Sequence, residues 1–321
     1  MWKMIFRRSL LMIPQLLILS ILVFLLAEMM PGDALTGMID PTISPAQVQA
    51  MREKLGLDRP VFEKYTDWIT KILFHGDFGR SFKYKLPVLE LIGGRIWNTL
   101  WMSLYTTFLT YTIGITLGVV AGRNENTFKD RLIGIYSFLS MALPSFVLGL
   151  LMIWLFGYTL DWFPTRGTVA SGLEPGTIEY LLSKLHHIVL PGMMLALIGP
   201  AGTIQFLRAS IIDAKTEDYV RTARAKGVPE KVVYRKHILR NSILPIASTF
   251  GYTITGLFSG AIITETVFTY QGMGYLFFEA VQGRDFTVMT TLILFSGFLT
   301  LLGGLLSDII MIFVDPRIRL Q

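Results

Sequence analysis

One charged stretch stands between two long apolar runs of the sequence, and it reads Glu217-Asp218-Tyr219-Val220-Arg221-Thr222-Ala223-Arg224-Ala225-Lys226-Gly227. Val228-Pro229 follows it, and Leu244-Pro245 comes after a second basic run. The flanking runs are long enough to cross a membrane, so the charged stretch must lie in water directly beside one. We therefore expect a polar partner at this place.

The ends of the stretch carry the signals of a short, self-contained helix. Thr216 is predicted to be the N-cap, and Glu217 and Asp218 place carboxylates in the first turn. Gly227 supplies the left-handed residue that ends the helix, and Pro229 suits the first turn of another helix. We therefore predict a helix of about ten residues and roughly 15 Å.

The faces of this helix differ in polarity. Tyr219, Val220 and Ala223 share one face, while the cations, including Arg224 and Lys226 in the last turn, spread over the others. A small apolar face on a basic helix predicts a docking surface. The alternative interpretation is a solvated loop whose positive charge only fixes the orientation of the chain in the membrane.

The composition is typical of a membrane protein. Of the 321 residues, 52% are hydrophobic and only 16% are charged, and the mean hydropathy is +0.53. The sequence has no cysteine, which excludes disulfides, thiolate nucleophiles and cysteine metal sites. The net charge of +6 comes from cations beside apolar runs, a pattern that fits the positive-inside rule better than nucleic-acid binding.

Six apolar runs predict six transmembrane helices, with the lipid bilayer as their solvent. They cover residues 9–30, 99–121, 133–158, 188–206, 243–264 and 288–314. The loop after the second run and the loop after the fourth are rich in Lys and Arg, whereas the loops after the third and fifth are poor in them. The positive-inside rule therefore predicts that both termini are cytoplasmic.

These spans divide the sequence into four parts. Residues 1–30 form a cytoplasmic end with the first span, and residues 31–97 an extracytoplasmic helical region. In that region, a capping box at Ser44-Pro45-Ala46-Gln47 opens a helix that Gly56 closes, and a second helix runs from Pro60 to Gly76. Residues 98–314 form the transmembrane core, which contains the basic loop 213–242, and residues 315–321 form a cytoplasmic tail.

Two patterns inside the spans predict how helices pack or break. Gly114, Gly118 and Gly122 recur every four residues, so we expect another helix to approach this face closely. Pro144-Ser145 interrupts the third span, either as a packing kink or as a break that lines a cavity.

Several chemistries are missing from the sequence. No Gly-Lys dipeptide and no Gly-x-Gly-x-x-Gly motif occurs, so no ATP-binding loop is expected. His186-His187 lacks the spacing of a metal site, and we expect no metal or other cofactor on this chain. Glu28, Glu265 and Asp308 lie near span ends, where they can reach water, and Asp308 is expected to have a structural partner such as a cation.

Together these motifs resemble a known family. The segment 219–227, its continuation His237-Ile238-Leu239-Arg240-Asn241 and Leu244-Pro245 are similar to the coupling-loop motif of importer-type ABC transporter permeases. Further similar stretches are Leu55-Gly56-Leu57-Asp58-Arg59-Pro60, His75-Gly76-Asp77-Phe78-Gly79, Ala142-Leu143-Pro144-Ser145-Phe146, Phe163-Pro164 before Gly167, and Asp315-Pro316-Arg317. The resemblance covers nearly the whole chain and is strongest to the B-type subunit of oligopeptide and dipeptide permeases.

The sequence departs from the general motif of these permeases in one place. That motif has Glu-Ala-Ala six residues before its glycine, where this chain has Arg221, Thr222 and Ala223. The interval from Gly227 to Leu244-Pro245 is also longer than in the general pattern. Both departures resemble the peptide and nickel branch, and they leave open which residue makes the charged contact.

The resemblance implies a type I ABC importer permease fold and a set of partners. These are a second permease subunit, two cytosolic ATPase subunits that hold ATP and magnesium, and an extracytoplasmic peptide-binding protein. Residues 217–227 would be the coupling helix that sits in a groove of an ATPase subunit, and the outer region 33–95 would meet the binding protein. The chain itself would hydrolyse no ATP and would bind no nucleic acid.

The sequence also bears on the cargo and on the residues that line the transport pathway. Oligopeptides or dipeptides are favoured because no histidine or cysteine cluster lines a span, with nickel or a metal chelate as the alternative. Two alternative functions have their own requirements. An ion-driven secondary transporter would need midplane carboxylates or inverted repeats, and an intramembrane enzyme would need a catalytic pair inside the spans. The predicted pathway residues are weakly polar or mark the break in the third span: Ser140, Pro144, Ser145, Thr253, Thr255 and Ser259.

Overall fold

The computed structural model describes residues 2–30, 47, 49–50 and 58–314, and most of these residues are helical. These ranges contain no β-strand, only an isolated bridge between Arg80 and Pro87. The all-α prediction is therefore confirmed. The predicted helix between Ser44 and Gly56 falls mostly outside the described residues, as does the tail 315–321.

Thirteen helices follow one another along the described residues. In chain order they are α1 (Trp2–Met29), α2 (Val61–Thr70), α3 (Val88–Arg123), α4 (Phe128–Ala142), α5 (Ser145–Met152), α6 (Ile178–Ile198), α7 (Pro200–Thr216), α8 (Asp218–Ala225), α9 (Glu230–Val232), α10 (Leu244–Gly256), α11 (Ile262–Val267), α12 (Met273–Gln282) and α13 (Phe286–Val314). Three of them, α2, α5 and α9, continue through wider π-helical turns at Lys71–His75, Ile153–Thr159 and Val233–Leu239, and the last of these runs into Arg240–Ser242.

Four of the six predicted spans are continuous helical stretches. In the described part of the chain, α1, α3, the α6–α7 stretch and α13 are each long and apolar enough to cross a membrane. The longest single helix, α3, has 36 residues and is therefore about 54 Å long. It exceeds the roughly 30 Å hydrocarbon core of a bilayer and must project beyond it.

The third predicted span is a pair of helices bent by 99°. The bend lies at Leu143 and Pro144, and Leu143 has an extended conformation with φ −79° and ψ 121°. The ring of a proline disfavours helical conformation in the preceding residue, so Pro144 explains the end of α4. The predicted interruption is confirmed, and the pair counts as a fifth span if it crosses the membrane as one unit.

The fifth predicted span differs from a single helix. Helix α10 has only 13 residues, or about 20 Å, and it ends at Gly256. The chain then turns through Gly260, whose φ of +81° suits glycine, before α11 begins. Apolar composition alone predicted one span here, because it does not register the turn at Gly260.

The glycine-rich face of α3 packs against α7, as predicted. A Cβ atom added to Gly118 or Gly122 would lie 3.0 or 2.8 Å from the Cβ atoms of Leu207 and Ile211. The same kind of contact joins α10 to α13, where a Cβ on Gly251 would lie 2.2 Å from the backbone nitrogen of Ser307. This second crossing was not predicted from the sequence.

Two ion pairs hold α1 to its neighbours. The guanidinium of Arg8 lies 2.8 Å from the Asp308 carboxylate of α13, which confirms the cation partner expected for Asp308. Glu28 pairs with Lys64 of α2.

The second predicted helix of the outer region is also confirmed, since α2 and its continuation run from Val61 to a left-handed Gly76.

Candidate coupling surface and outer network

The charged stretch forms α8, a helix of eight residues. It begins after Glu217, which has extended backbone angles and makes no side-chain capping bond. The prediction of Thr216 as the N-cap is wrong, because its hydroxyl donates to the Asp213 carbonyl at 2.8 Å and so belongs to the last turn of α7. The acidic first turn of α8 is as predicted.

The predicted end of the helix is confirmed. Gly227 has a φ of +73° and its N–H donates to the Arg224 carbonyl at 2.9 Å. The N–H of Val228 donates to the Ala223 carbonyl at 3.2 Å, so the last turn of α8 closes on itself. Pro229 is the N-cap residue of α9, and its carbonyl accepts the N–H groups of Val232 and Val233.

The apolar face of α8 is already occupied by this chain. Val220 and Ala223 are 0% and 6% exposed, in one cluster with buried apolar residues of α7 and of the π-helical turn after α9. The other members are Leu207, Ile211, Ala214, Val233 and Ile238. This corrects the prediction that the apolar face is the docking surface, because burial against α7 already stabilises it. Tyr219 does not share that burial and stays 37% exposed.

The outer face of α8 is polar and exposed. It presents Glu217, Asp218, Arg221, Thr222, Arg224, Ala225, Lys226 and Gly227. Both ends of the Arg224 guanidinium bind the Glu230 carboxylate, with contacts of 2.8 and 3.1 Å. These hydrogen bonds hold the pKa of Glu230 below its ordinary range. The guanidinium of Arg221 is less constrained, since the carboxylate of its ion-pair partner, Asp218, lies 3.6 Å away.

The predicted pathway residues fall into two groups. Ser140 and Thr255 are 7% and 4% exposed, and their hydroxyls donate to backbone carbonyls, that of Ser140 to Leu197 at 3.1 Å. Their side chains therefore serve helix packing within this chain. Ser145, Thr253 and Ser259 are half-buried, and Pro144 is exposed at the bend between α4 and α5.

At the other end of α3, a buried carboxylate organises a turn. Glu265 is 0% exposed and accepts hydrogen bonds from the Thr99 hydroxyl at 3.0 Å and from the N–H groups of Ala261 and Tyr275 at 3.3 and 2.9 Å. The expectation that Glu265 reaches water is wrong. Its position at the end of an apolar run gave no sign that the chain folds back over it.

A second polar cluster at this end fixes residues 77–87, which we call the anchored segment. The Asp285 carboxylate is 1% exposed and accepts hydrogen bonds from the Ser81 hydroxyl and the Lys83 N–H. Glu279 accepts hydrogen bonds from the Lys83 ammonium at 2.8 Å and from the Tyr84 hydroxyl. Burial alone would raise the pKa of Glu279, but these hydrogen bonds outweigh it and lower the pKa.

The two adjacent histidines take separate partners. A ring nitrogen of His186 lies 2.9 Å from the Trp162 carbonyl, and Nδ1 of His187 lies 2.7 Å from the Ser183 carbonyl. Among the residues that the structure describes, no group of three or more His, Cys, Asp or Glu side chains is arranged to hold a metal ion.

Family models match almost the entire length of the sequence. One is described as "Binding-protein-dependent transport system inner membrane component" and matches residues 114–320. A second, for the N-terminal part of such membrane components, matches residues 1–110.

Curated relatives and a solved structure agree with these matches. The oligopeptide transport system permease protein AppB of Bacillus subtilis is 38% identical over 98% of both chains. The glutathione transport system permease protein GsiC of Escherichia coli K12 is 33% identical over 99% of both chains. The fold is similar to that of an inward-facing MetNI methionine ABC transporter chain, with a TM-score of 0.55 and 18% identity over 71% of this chain and 97% of that one.

Permease subunits of this kind are not themselves enzymes, and several apolar helices agree with a multi-pass protein. The chain belongs to the family of binding-protein-dependent transport system inner membrane components, the ABC importer permeases that work with ATPase and binding-protein partners.

Proposed function

We propose that this chain forms, with a second permease subunit, the membrane pathway of an importer for oligopeptides or dipeptides. Relatives named for oligopeptide, peptide and glutathione transport support this cargo, because they align over nearly the whole chain at 33–38% identity. In this proposal two ATPase subunits supply the energy and hold ATP and magnesium, and an extracytoplasmic binding protein delivers the peptide.

The exposed polar face of α8 is the observation that carries the coupling part of the proposal. Its apolar face is fixed on α7 and on the π-helical turn after α9, so α8 cannot move without them, while its charged face is free to fit a groove of an ATPase subunit. Arg221 occupies the place of the glutamate in the general motif and is 70% exposed. Because Arg224 is engaged by Glu230, we assign the charged contact with the ATPase to Arg221.

The orientation follows the same proposal. Helix α8, both termini and the loop between α3 and α4 face the cytoplasm, and region 31–97 lies outside, where it meets the binding protein. ATP-driven closure of the ATPase subunits pushes α8, and the transmembrane core 98–314 then opens toward the binding protein. Of the predicted pathway residues, the less buried Pro144, Ser145, Thr253 and Ser259 stay in the proposal.

Reconstitution tests this function. The chain, its second permease and their ATPases are placed in lipid vesicles with the binding protein, and uptake of labelled peptides of two to five residues is measured. We expect uptake that requires both ATP and the binding protein. Uptake of nickel in place of peptide would refute the cargo, and uptake driven by an ion gradient without ATP would refute the mechanism.

A further inference from the structure

The contact between α4 and α7 is centred on an ion pair in which the carboxylate is buried and the guanidinium is partly exposed. Nε and Nη2 of Arg208 lie 2.6 and 2.8 Å from the two carboxylate oxygens of Asp130. Asp130 is 5% exposed and also accepts the N–H of Asn126 at 2.9 Å. Such a bidentate pair fixes orientation as well as distance, because the planar guanidinium matches the carboxylate at two points.

A second attachment holds the other half of α4. The hydroxyls of Tyr136 and Ser140 both donate to the Leu197 carbonyl, at 2.7 and 3.1 Å. Leu197 lies just before Gly199 and Pro200, where α6 passes into α7. Residues 130 and 140 are about 15 Å apart along the helix, so α4 is held near both of its ends.

The loop before α4 is tied to the same body. The Lys215 ammonium, near the end of α7, lies 3.4 Å from the Arg123 carbonyl and 3.8 Å from the Glu125 carboxylate. The guanidinium of Arg123 in turn lies over the ring of Tyr234, 5.4 Å from its centre. Residues 123–130 therefore contact the helix that carries α8 and the π-helical turn that follows it.

We infer that Asp130 and Arg208 are positioning residues of the transport cycle, which make α4 move as one body with α7 and α8. This unit of α4, α7 and α8 ends at the 99° bend before Pro144. A force on α8 is therefore transmitted to the broken third span. This inference deepens the proposed function and depends on its assignment of α8 as the coupling helix.

A conservative substitution separates this role from simple stability. Arg208→Lys keeps the charge but loses the two-point contact with Asp130. We expect the complex to assemble and hydrolyse ATP while the peptide transported per ATP falls by about fivefold or more, the size of an allosteric coupling. Arg8→Lys is the matched control, because it alters an ion pair of similar length between α1 and α13, and it should leave this ratio unchanged.

An unchanged ratio in Arg208→Lys would overturn the inference. That holds whether both rates stay at the parental level or fall together, as a purely structural role would give. If Gly227→Val also left the ratio unchanged, the proposed function would fail as well. If Gly227→Val lowered the peptide transported per ATP and Arg208→Lys did not, the assignment of α8 as the coupling helix would be supported and the positioning role of Arg208 would be refuted.

Distance measurements test the same inference without disturbing the ion pair. Since the sequence has no cysteine, spin labels can be placed at Arg131→Cys on α4, Thr216→Cys on α7 and Phe313→Cys on α13. On binding of a non-hydrolysable ATP analogue, the distance from 131 to 216 should stay constant while that from 131 to 313 changes. A change within the first pair, or no change in either pair, would overturn the inference.

Discussion

Each end of α3 is surrounded by packed segments, and opposite kinds of interaction fix those segments at the two ends. Near Arg123, the short helix α8 is fixed through buried Val220 and Ala223, and its charges face solvent. Near Val88, the loops are fixed through the buried carboxylates Glu265 and Asp285, which take hydrogen bonds from backbone and side chains. The charges of α8 therefore lie outside at the first end, whereas the carboxylates that fix the loops lie inside at the second.

This difference indicates which end is prepared for a charged partner. A helix that is fixed through its apolar side chains keeps its polar side chains free for binding. A buried carboxylate instead accepts hydrogen bonds from groups of its own chain and so fixes the loops around it. We therefore expect substitutions at the α8 end to change coupling while the complex remains stable. Substitutions at the Val88 end should reduce stability first.

The largest effect is expected at Glu265. Glu265→Ala leaves the Thr99 hydroxyl and the N–H groups of Ala261 and Tyr275 without this acceptor, and each unsatisfied buried donor costs about 1–3 kcal/mol. The purified complex should melt at a clearly lower temperature. Glu265→Gln, which keeps an acceptor oxygen, should lose less. Equal melting temperatures of the Glu265→Ala and parent complexes would contradict the claim that buried carboxylates stabilise the Val88 end of α3.

A smaller effect is expected at Gly227. No other group lies within 4 Å of a Cβ built there, so a side chain meets only the left-handed backbone, which costs about 1–2 kcal/mol. Gly227→Val should lower the peptide transported per ATP while the complex stays assembled. Gly227→Asn is the matched control, because asparagine tolerates this conformation. A loss of assembly in Gly227→Val, or equal transport by the two variants, would contradict the assigned role.

The smallest effect is a pH dependence of the anchored segment. Burial raises the pKa of Glu279, but the hydrogen bonds from Lys83 and Tyr84 and the nearby positive charges outweigh it and lower that pKa. These contacts therefore stabilise the segment at neutral pH and are lost as pH falls through the lowered pKa. A fluorescent probe at Leu86→Cys should report release only under acid conditions. In a Glu279→Gln background the acid step should disappear, and a step that persisted would mean that another group controls the segment.

Local sequence patterns were sufficient where neighbouring residues decide the structure. The left-handed stop at Gly227, the break at Pro144 and the glycine face of α3 each depend on a few residues and were predicted. The apolar face of α8 was predicted but wrongly assigned to docking, because the sequence does not show that α7 and the π-helical turn after α9 cover it. The burial of Glu265 against Thr99, the role of Asp285 and the Gly251 crossing were not predicted, because the partners in these contacts lie far away in the chain.

Cysteine cross-linking tests the coupling surface most directly, because the sequence contains no cysteine of its own. Thr222→Cys lies on the exposed face of α8 and its neighbour Ala223→Cys on the buried face. In the assembled transporter, with single cysteines along the groove of the ATPase, we predict a disulfide from position 222 and none from position 223. Cross-linking from position 223 alone, or from neither position while a complex forms, would contradict the claim that α8 docks through its polar face.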